Sequence, residues 1–200
     1  KHEILGYSYR PDAYYASLTG WIEMRHGWKV QREWIEFSPG VVPALNMCTL
    51  AFTGPGDEII IQPPVYTPFH GAVNDHGRRL VFNPLLETGS GWVMDLQGLR
   101  KLITPATKML ILSNPHNPVG RAWRTEELEE LAEICYEKGI VILSDEIHSD
   151  LVLPGNRHIP LASISERAAS ITVTCMAPSK TFNLAGLSTS SMIIPDPVLM

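Results

Sequence analysis

Long apolar runs are missing from this chain. No stretch of its 200 residues reaches the ~20 apolar residues that a membrane-crossing helix needs. A strong excess of one charge is missing too. Lysine and arginine total 16 against 21 aspartates and glutamates, a formal net charge of −5, and the pI is near 5.8. That balance argues against nucleic acid as the main partner. Cysteine is scarce: Cys48, Cys135 and Cys175 are the only three. An odd number among apolar neighbours excludes a disulfide framework and suits reduced, buried thiols in a cytosolic protein. The familiar nucleotide and zinc signatures, G-x-G-x-x-G, G-x-x-x-x-G-K-[ST] and H-E-x-x-H, do not occur. Gly89-Ser90-Gly91 is too short a match and reads as a turn. Asp145, Glu146, His148 and Asp150 have the composition of a metal cluster, but in a strand running past Asp145 they would alternate faces. A Ser–Lys hydrolase wants S-x-x-K, and Ala177 stands at that serine's place. The opening Lys1-His2-Glu3-Ile4 shows neither an initiator methionine nor a signal-peptide pattern.

What is present is ordinary globular material. With 44% hydrophobic and 18% charged residues, and mean hydropathy near zero, the chain can fill one sizeable core. Residues 1–28 form an aromatic-rich segment (Tyr7, Tyr9, Tyr14, Tyr15, Trp21, Trp28) with a helix predicted from Pro11 to His26. It suits either an arm packing on another subunit or a helix folded back on its own domain. Residues 29–200 then alternate strands and helices. Strands are predicted at 34–37, 58–61, 80–82, 109–112, 140–143, 171–175 and 191–194. Their near-continuous Val, Ile and Leu content suits strands covered on both faces. Between them, Thr125 is the predicted cap of a helix with Glu126 and Glu127 in its first turn, closed by Gly139. Another helix runs from Pro43 and stops at Gly54-Pro55-Gly56. The alternation predicts a three-layer α/β/α domain around a seven-stranded, mainly parallel sheet. Such sheets bind ligands beyond the carboxyl ends of their strands.

Three polar clusters fall at those ends: Ser113-Asn114-Pro115-His116-Asn117-Pro118-Val119-Gly120, Ser144-Asp145-Glu146-Ile147-His148, and Ala177-Pro178-Ser179-Lys180-Thr181-Phe182-Asn183. Each residue has a plain reading by itself. Asn-Pro pairs make turns, an aspartate caps helices or pairs with a base, Tyr66 packs, and a lysine sits on the surface. Together they match the needs of pyridoxal phosphate. Lys180 supplies an amine for the Schiff base, its pKa lowered by partial desolvation. Asp145 keeps the pyridine nitrogen protonated, Asn117 donates to the ring oxygen, and Tyr66 stacks on the ring. The segment Ser38-Pro39-Gly40-Val41-Val42-Pro43 leads from a strand into a helix whose N–H groups point at an anion.

The order and detail of these segments resemble the fold-type I pyridoxal phosphate superfamily, the aminotransferase-like enzymes. Asn114 to Arg121, Ser144 to Asp150 and Ala177 to Leu187 are most similar to its cystathionine β-lyase, or C–S lyase, branch. The resemblance implies that Lys180 carries the cofactor, Asp145 pairs with the pyridine nitrogen, and Asn117 contacts the ring hydroxyl. Tyr66 would stack on the ring, and Val41 and Val42 would give backbone N–H groups to the phosphate, with Ser179 a further contact. Many aminotransferases carry a tyrosine three residues after the aspartate and an arginine eight residues after the lysine; here these are His148 and Ser188. His148 matches the lyase branch. That branch also uses a tyrosine from the neighbouring subunit's N-terminal region, implying Tyr7 at the phosphate of a homodimer. The implied reaction is α,β-elimination on L-cystathionine or a related cysteine thioether, giving thiol, pyruvate and ammonia. An aminotransferase and a catalytically incomplete fragment remain alternatives. The family's C-terminal small domain has no counterpart before Met200.

Overall fold

The computed structural model describes residues 9–89 and 91–200. Helix α1 (Asp12–His26) ends on Gly27, whose φ of 69° is the left-handed cap that glycine adopts without strain. A 3-10 turn leads into β1 (Ile35–Ser38), followed by α2 (Val41–Phe52), β2 (Glu58–Ile61), α3 (Pro68–Asn74) and β3 (Arg79–Phe82). The short strands β4 (Leu86–Thr88) and β5 (Gly91–Val93) pair as a separate antiparallel ribbon. Then come α4 (Leu96–Leu102), β6 (Thr107–Ser113), α5 (Thr125–Glu137), β7 (Val141–Asp145), α6 (Glu166–Ile171), β8 (Thr172–Met176), α7 (Pro178–Thr181) and β9 (Ser190–Ile193).

The main sheet has seven strands in the order β1-β9-β8-β7-β6-β2-β3. Strands β3, β2, β6, β7 and β8 run parallel, while β9 is antiparallel to both β8 and β1. All seven predicted strands are present, within a residue or two at their ends.

The period-2 alternation of side chains explains why the sheet is covered twice. Ile60, Leu110, Leu112 and Ile142 point into a core shared with Leu99, Trp123, Leu128, Leu131 and Ile134. Ile59, Ile61, Met109, Ile111, Leu143 and Val173 point the other way, onto Leu45, Cys48, Phe69 and Val73. The result is a three-layer α/β/α unit. Each fully buried Leu or Ile contributes about 1.5–3 kcal/mol from area removed from water. A third cluster joins Ile22 and Trp28 to Ile35, Met176 and Ile193, seating α1 beside the β1–β9–β8 end of the sheet. Cys48, Cys135 and Cys175 are free and buried. Burial pushes the Cys48 and Cys135 thiols up to about 12 and also raises Cys175 well above the usual thiol value, so all three are inert core.

Two helix starts differ from expectation. Thr125 is the first residue of α5 rather than its cap, and Arg124 takes the cap position. The Glu127 carboxylate reaches back to accept the Arg124 N–H at 2.9 Å, and it also pairs with Arg121 at 2.7 Å. Likewise α2 begins at Val41, two residues before Pro43. No helix among the described residues is long and apolar enough to cross a membrane.

Candidate active site

The parallel strands end in register. Ser113 pairs with Asp145 across β6 and β7, and Asp145 pairs with Cys175 across β7 and β8. The chain therefore leaves three neighbouring strands at one level, and each exit carries a polar cluster.

The exit from β6 is held rigidly. Ser113 Oγ donates to the Pro115 carbonyl at 3.1 Å and accepts the Asn117 N–H at 3.0 Å. Trp123 Nε1 donates to the Ser113 carbonyl at 3.0 Å. A bridge between His116 and Arg121 closes the loop. These bonds fix Asn117 at the cavity wall. The exit from β7 turns at once into a 3-10 turn, Ser149–Leu151. Glu146 and Asp145 accordingly separate. Glu146 is fully buried away from the cavity, where its carboxylate accepts from Ser144 Oγ at 2.8 Å and the Leu161 N–H at 3.0 Å. Its second oxygen lies 2.8 Å from His158 Nε2. The exit from β8 is the single turn α7, which carries Ser179 and Lys180.

Opposite these ends, Gly40 delivers the chain into α2 with φ 154° and ψ 161°, a conformation essentially reserved for glycine. A helix leaves its first N–H groups without intrahelical partners, so Val41 and Val42 present a site suited to an anion.

One cavity of about 230 Å³ gathers these parts. Val41, Val42, Tyr66, Asn117, Asp145, His148, Ser179 and Lys180 all line it, together with Gly40, Ile147, Ala177, Ser188 and Thr189. Of the residues singled out in the sequence, only Tyr7 is not placed; it lies outside the described residues. Two larger cavities are less suited to chemistry. One of about 410 Å³ adjoins the site, sharing Asn117 and His148. The other, about 650 Å³ and largely apolar, lies under α1. Neither combines an amine, an acid and a helix N-terminus.

Burial pushes the Asp145 carboxyl up to about 7; Glu146 adds to the rise, while the Ile147 N–H at 3.2 Å and the Lys180 charge oppose it. A buried carboxyl with one backbone donor calls for a cationic partner. A pyridinium nitrogen is one, and this donor set fits pyridoxal phosphate: acid at one end, helix N-terminus at the other, amine at the rim. Burial also lowers the His148 imidazole, and the Lys180 charge lowers it further, so His148 faces the cavity neutral near pH 7.

One expectation needs correction. Lys180 is exposed at the cavity rim, not partly desolvated; α7 lifts it clear of the buried end of β8. Among the described residues no group of side chains is placed to hold a metal ion. The buried Glu146–His158 pair carried no signal in the sequence, because His158 arrives from a loop with no periodic pattern. Ile147, which gives the cavity an apolar wall, was hidden in the same way.

Residues 6–199 match the family model described as aminotransferase class I and II. The chain is 52% identical over 196 residues to cystathionine beta-lyase PatB of Bacillus subtilis, covering 98% of this chain and 51% of that protein. Among solved structures, it superposes with a TM-score of 0.95 and 45% identity on a PLP-bound putative aminotransferase from Clostridium difficile, over 98% of this chain and 51% of that one. Cystalysin from Treponema denticola, which contains pyridoxal 5'-phosphate, gives a TM-score of 0.96 at 40% identity, over 98% of this chain and 50% of that one. The chain thus spans about half the length of the relatives it matches.

Proposed function

The chain belongs to the class I and II aminotransferase family, and from that premise we propose that it is the cofactor-holding part of a pyridoxal phosphate-dependent C–S β-lyase acting on cystathionine or related cysteine thioethers. The observation that carries the reading is the 52% identity to a cystathionine beta-lyase over 98% of this chain. His148 and Ser188, which stand where many aminotransferases have tyrosine and arginine, point the same way.

Pyridoxal phosphate, when bound, supplies a carbonyl for the substrate amine and a ring that accepts the electrons of a broken Cα–H bond. The chain's own residues do the rest. The N–H groups of Val41 and Val42 and the Ser179 hydroxyl hold the phosphate. Asp145, ionised by its pyridinium partner, keeps the ring nitrogen protonated. Asn117 would donate to a ring oxygen and Tyr66 would pack on the ring, with His148 also lining the cavity. Lys180 anchors the cofactor through Nζ. Freed for the substrate, Nζ would be placed to take the Cα proton as general base. Its exposed position at the rim lets it swing between these tasks. With the proton held at Nζ, the thiolate would leave from Cβ with the Cβ–S electron pair, and water would hydrolyse the three-carbon remainder to pyruvate and ammonia.

We also read the active assembly as a homodimer, with Tyr7 of one subunit reaching the phosphate of the other. Phe182, Leu184 and Leu187, exposed at 50%, 37% and 66%, follow Lys180 directly and support this reading as an apolar rim beside the site.

The second reading, an aminotransferase, has its own support in the 45% identity to a putative aminotransferase. Borohydride reduction with pyridoxal phosphate, followed by peptide mass mapping, and a pyruvate assay on L-cystathionine without keto acid test both. A pyridoxyl adduct on Lys180 with acceptor-free pyruvate release is the expected result. Strict dependence on a keto-acid acceptor overturns the lyase reading, and absence of the adduct overturns the cofactor site. An adduct without turnover marks the chain as one that holds cofactor but needs more of its protein to react.

A further inference from the structure

Asp150 lies outside the cavity yet grips both α1 and the turn that carries Lys180. One carboxylate oxygen, Oδ2, accepts from Trp21 Nε1 at 3.0 Å and from Thr181 Oγ1 at 2.9 Å. The other, Oδ1, faces His26 Nε2 at 3.2 Å and Arg25 Nε at 3.5 Å. Trp21 does double duty, setting its ring edge-on against Phe182 with centroids 5.2 Å apart. The two residues directly after Lys180 are therefore both held to α1, Thr181 through Asp150 and Phe182 through Trp21.

The lysine segment has need of such a hold. Helix α7 spans only Pro178–Thr181 and has no side-chain cap at Ala177. A single turn does not sustain itself in water, because nucleation fixes several residues for one hydrogen bond. The segment beyond it is exposed from Phe182 to Ser188, and Asn183 and Ser188 both sit at positive φ. Little else packs on it. The Asp150 side chain, by contrast, is 9% exposed, so water competes weakly for its bonds.

We propose that Asp150 is a positioning residue for Lys180: by tying Thr181 to the N-terminal helix it fixes where the lysine amine enters the cavity. The bland competitor is that Asp150 merely anchors α1 and that the Thr181 bond is incidental. The two differ in what Thr181 should do.

The test uses Thr181→Val, which removes the hydroxyl at nearly constant shape, and Thr181→Ser, which keeps it. The first readout is amide hydrogen exchange in the peptide covering 177–184 of the cofactor-free protein. Loss of one hydrogen bond should speed exchange there about fivefold in the valine variant. The serine variant should match the unaltered protein, and the α1 peptide should be unchanged in both. The second readout rests on the functional reading above: the rate at which pyridoxal phosphate becomes borohydride-trappable on Lys180. It should fall about fivefold in Thr181→Val and recover in Thr181→Ser. If the unaltered protein traps no cofactor, the functional reading fails while the exchange data still decide the tie. Equal exchange of the 177–184 peptide in the valine variant and the unaltered protein overturns the proposal.

Discussion

Asp145 stands level with Cys175 in the neighbouring parallel strand. The acid of the site thus ends one strand at the height where the next runs on for a single residue, Met176, and turns toward Lys180. The carboxyl sits fully inside the sheet's rim while the amine stays outside it, and that difference governs how each responds to substitution.

Asp145 is a liability to the cofactor-free fold. Its folded pKa is raised to about 7, above the ordinary ~3.9 of an aspartate. The protonated carboxyl therefore supports the fold below about pH 4, and that support is lost as the pH rises through 7. Asp145→Asn should leave stability near unchanged at pH 4 and raise it by a few kcal/mol at pH 8. Urea unfolding of the cofactor-free protein at the two pH values reads the difference. An equal effect at both would remove the account of a buried, uncompensated carboxylate.

Asp150 behaves oppositely. Burial alone would raise it, but His26, Thr181 and Trp21 as donors outweigh burial and hold it down at about 2. Its contribution is present above about pH 4 and lost as the pH falls toward 2. Asp150→Asn should cost about 1–2 kcal/mol at pH 7. The gap to the unaltered protein, measured by denaturant unfolding, should close between pH 4 and pH 2.

His158→Ala should be among the more damaging single changes. It leaves the fully buried Glu146 carboxylate without the partner now 2.8 Å from Oε2. Stranding a buried acceptor costs about 1–3 kcal/mol, and more for a charged one. A fall in the urea midpoint at unchanged slope is the expected signature. Glu146→Gln with His158→Ala together should cost less than His158→Ala alone, because the stranded charge is gone.

Gly40→Ala should injure the fold and the anion site together. The backbone there is nearly glycine-only, and an added Cβ would lie 3.3 Å from Pro43 Cδ. The cost should be about 1–3 kcal/mol. Calorimetric titration with pyridoxal phosphate should show weaker binding than Val42→Ala, which keeps the backbone N–H. Unchanged affinity in Gly40→Ala would argue against the start of α2 as the phosphate site.

Strands proved easy to read from sequence because a strand covered on both faces must be apolar at every position, as Ile59 to Ile61 and Met109 to Leu112 are. Which strand neighbours which was another matter. That β9 runs antiparallel between β1 and β8 follows from pairings across much of the chain, such as Ile35 with Ile193, and no local pattern encodes them. The residues lining the cavity were legible because strand ends in a parallel sheet converge in space, so three polar clusters far apart in sequence meet. Lys180 was expected just past the end of a strand, and it does follow β8, but it was given the wrong solvent environment: periodicity shows where a strand stops, not that a following turn lifts its third residue into water. The role of Glu146 was not legible for a related reason. Its partner His158 comes from an irregular loop, and only the folded chain brings the two together.

The order β1-β9-β8 carries a consequence for how the chain acquires its shape. Strand β1 precedes the other strands of the sheet in sequence and pairs with Ser190–Ile193, far along the chain. Loop closure over that span is slow and entropically expensive. Until it happens, the cluster of Ile22, Trp28, Ile35 and Ile193 lacks a wall. Helix α1 then has little to rest on, and the grip of Trp21 and Asp150 on the residues after Lys180 is unsupported. The acid-bearing and asparagine-bearing strands β7 and β6 pair with each other without that closure, whereas the hold on the lysine segment waits for it.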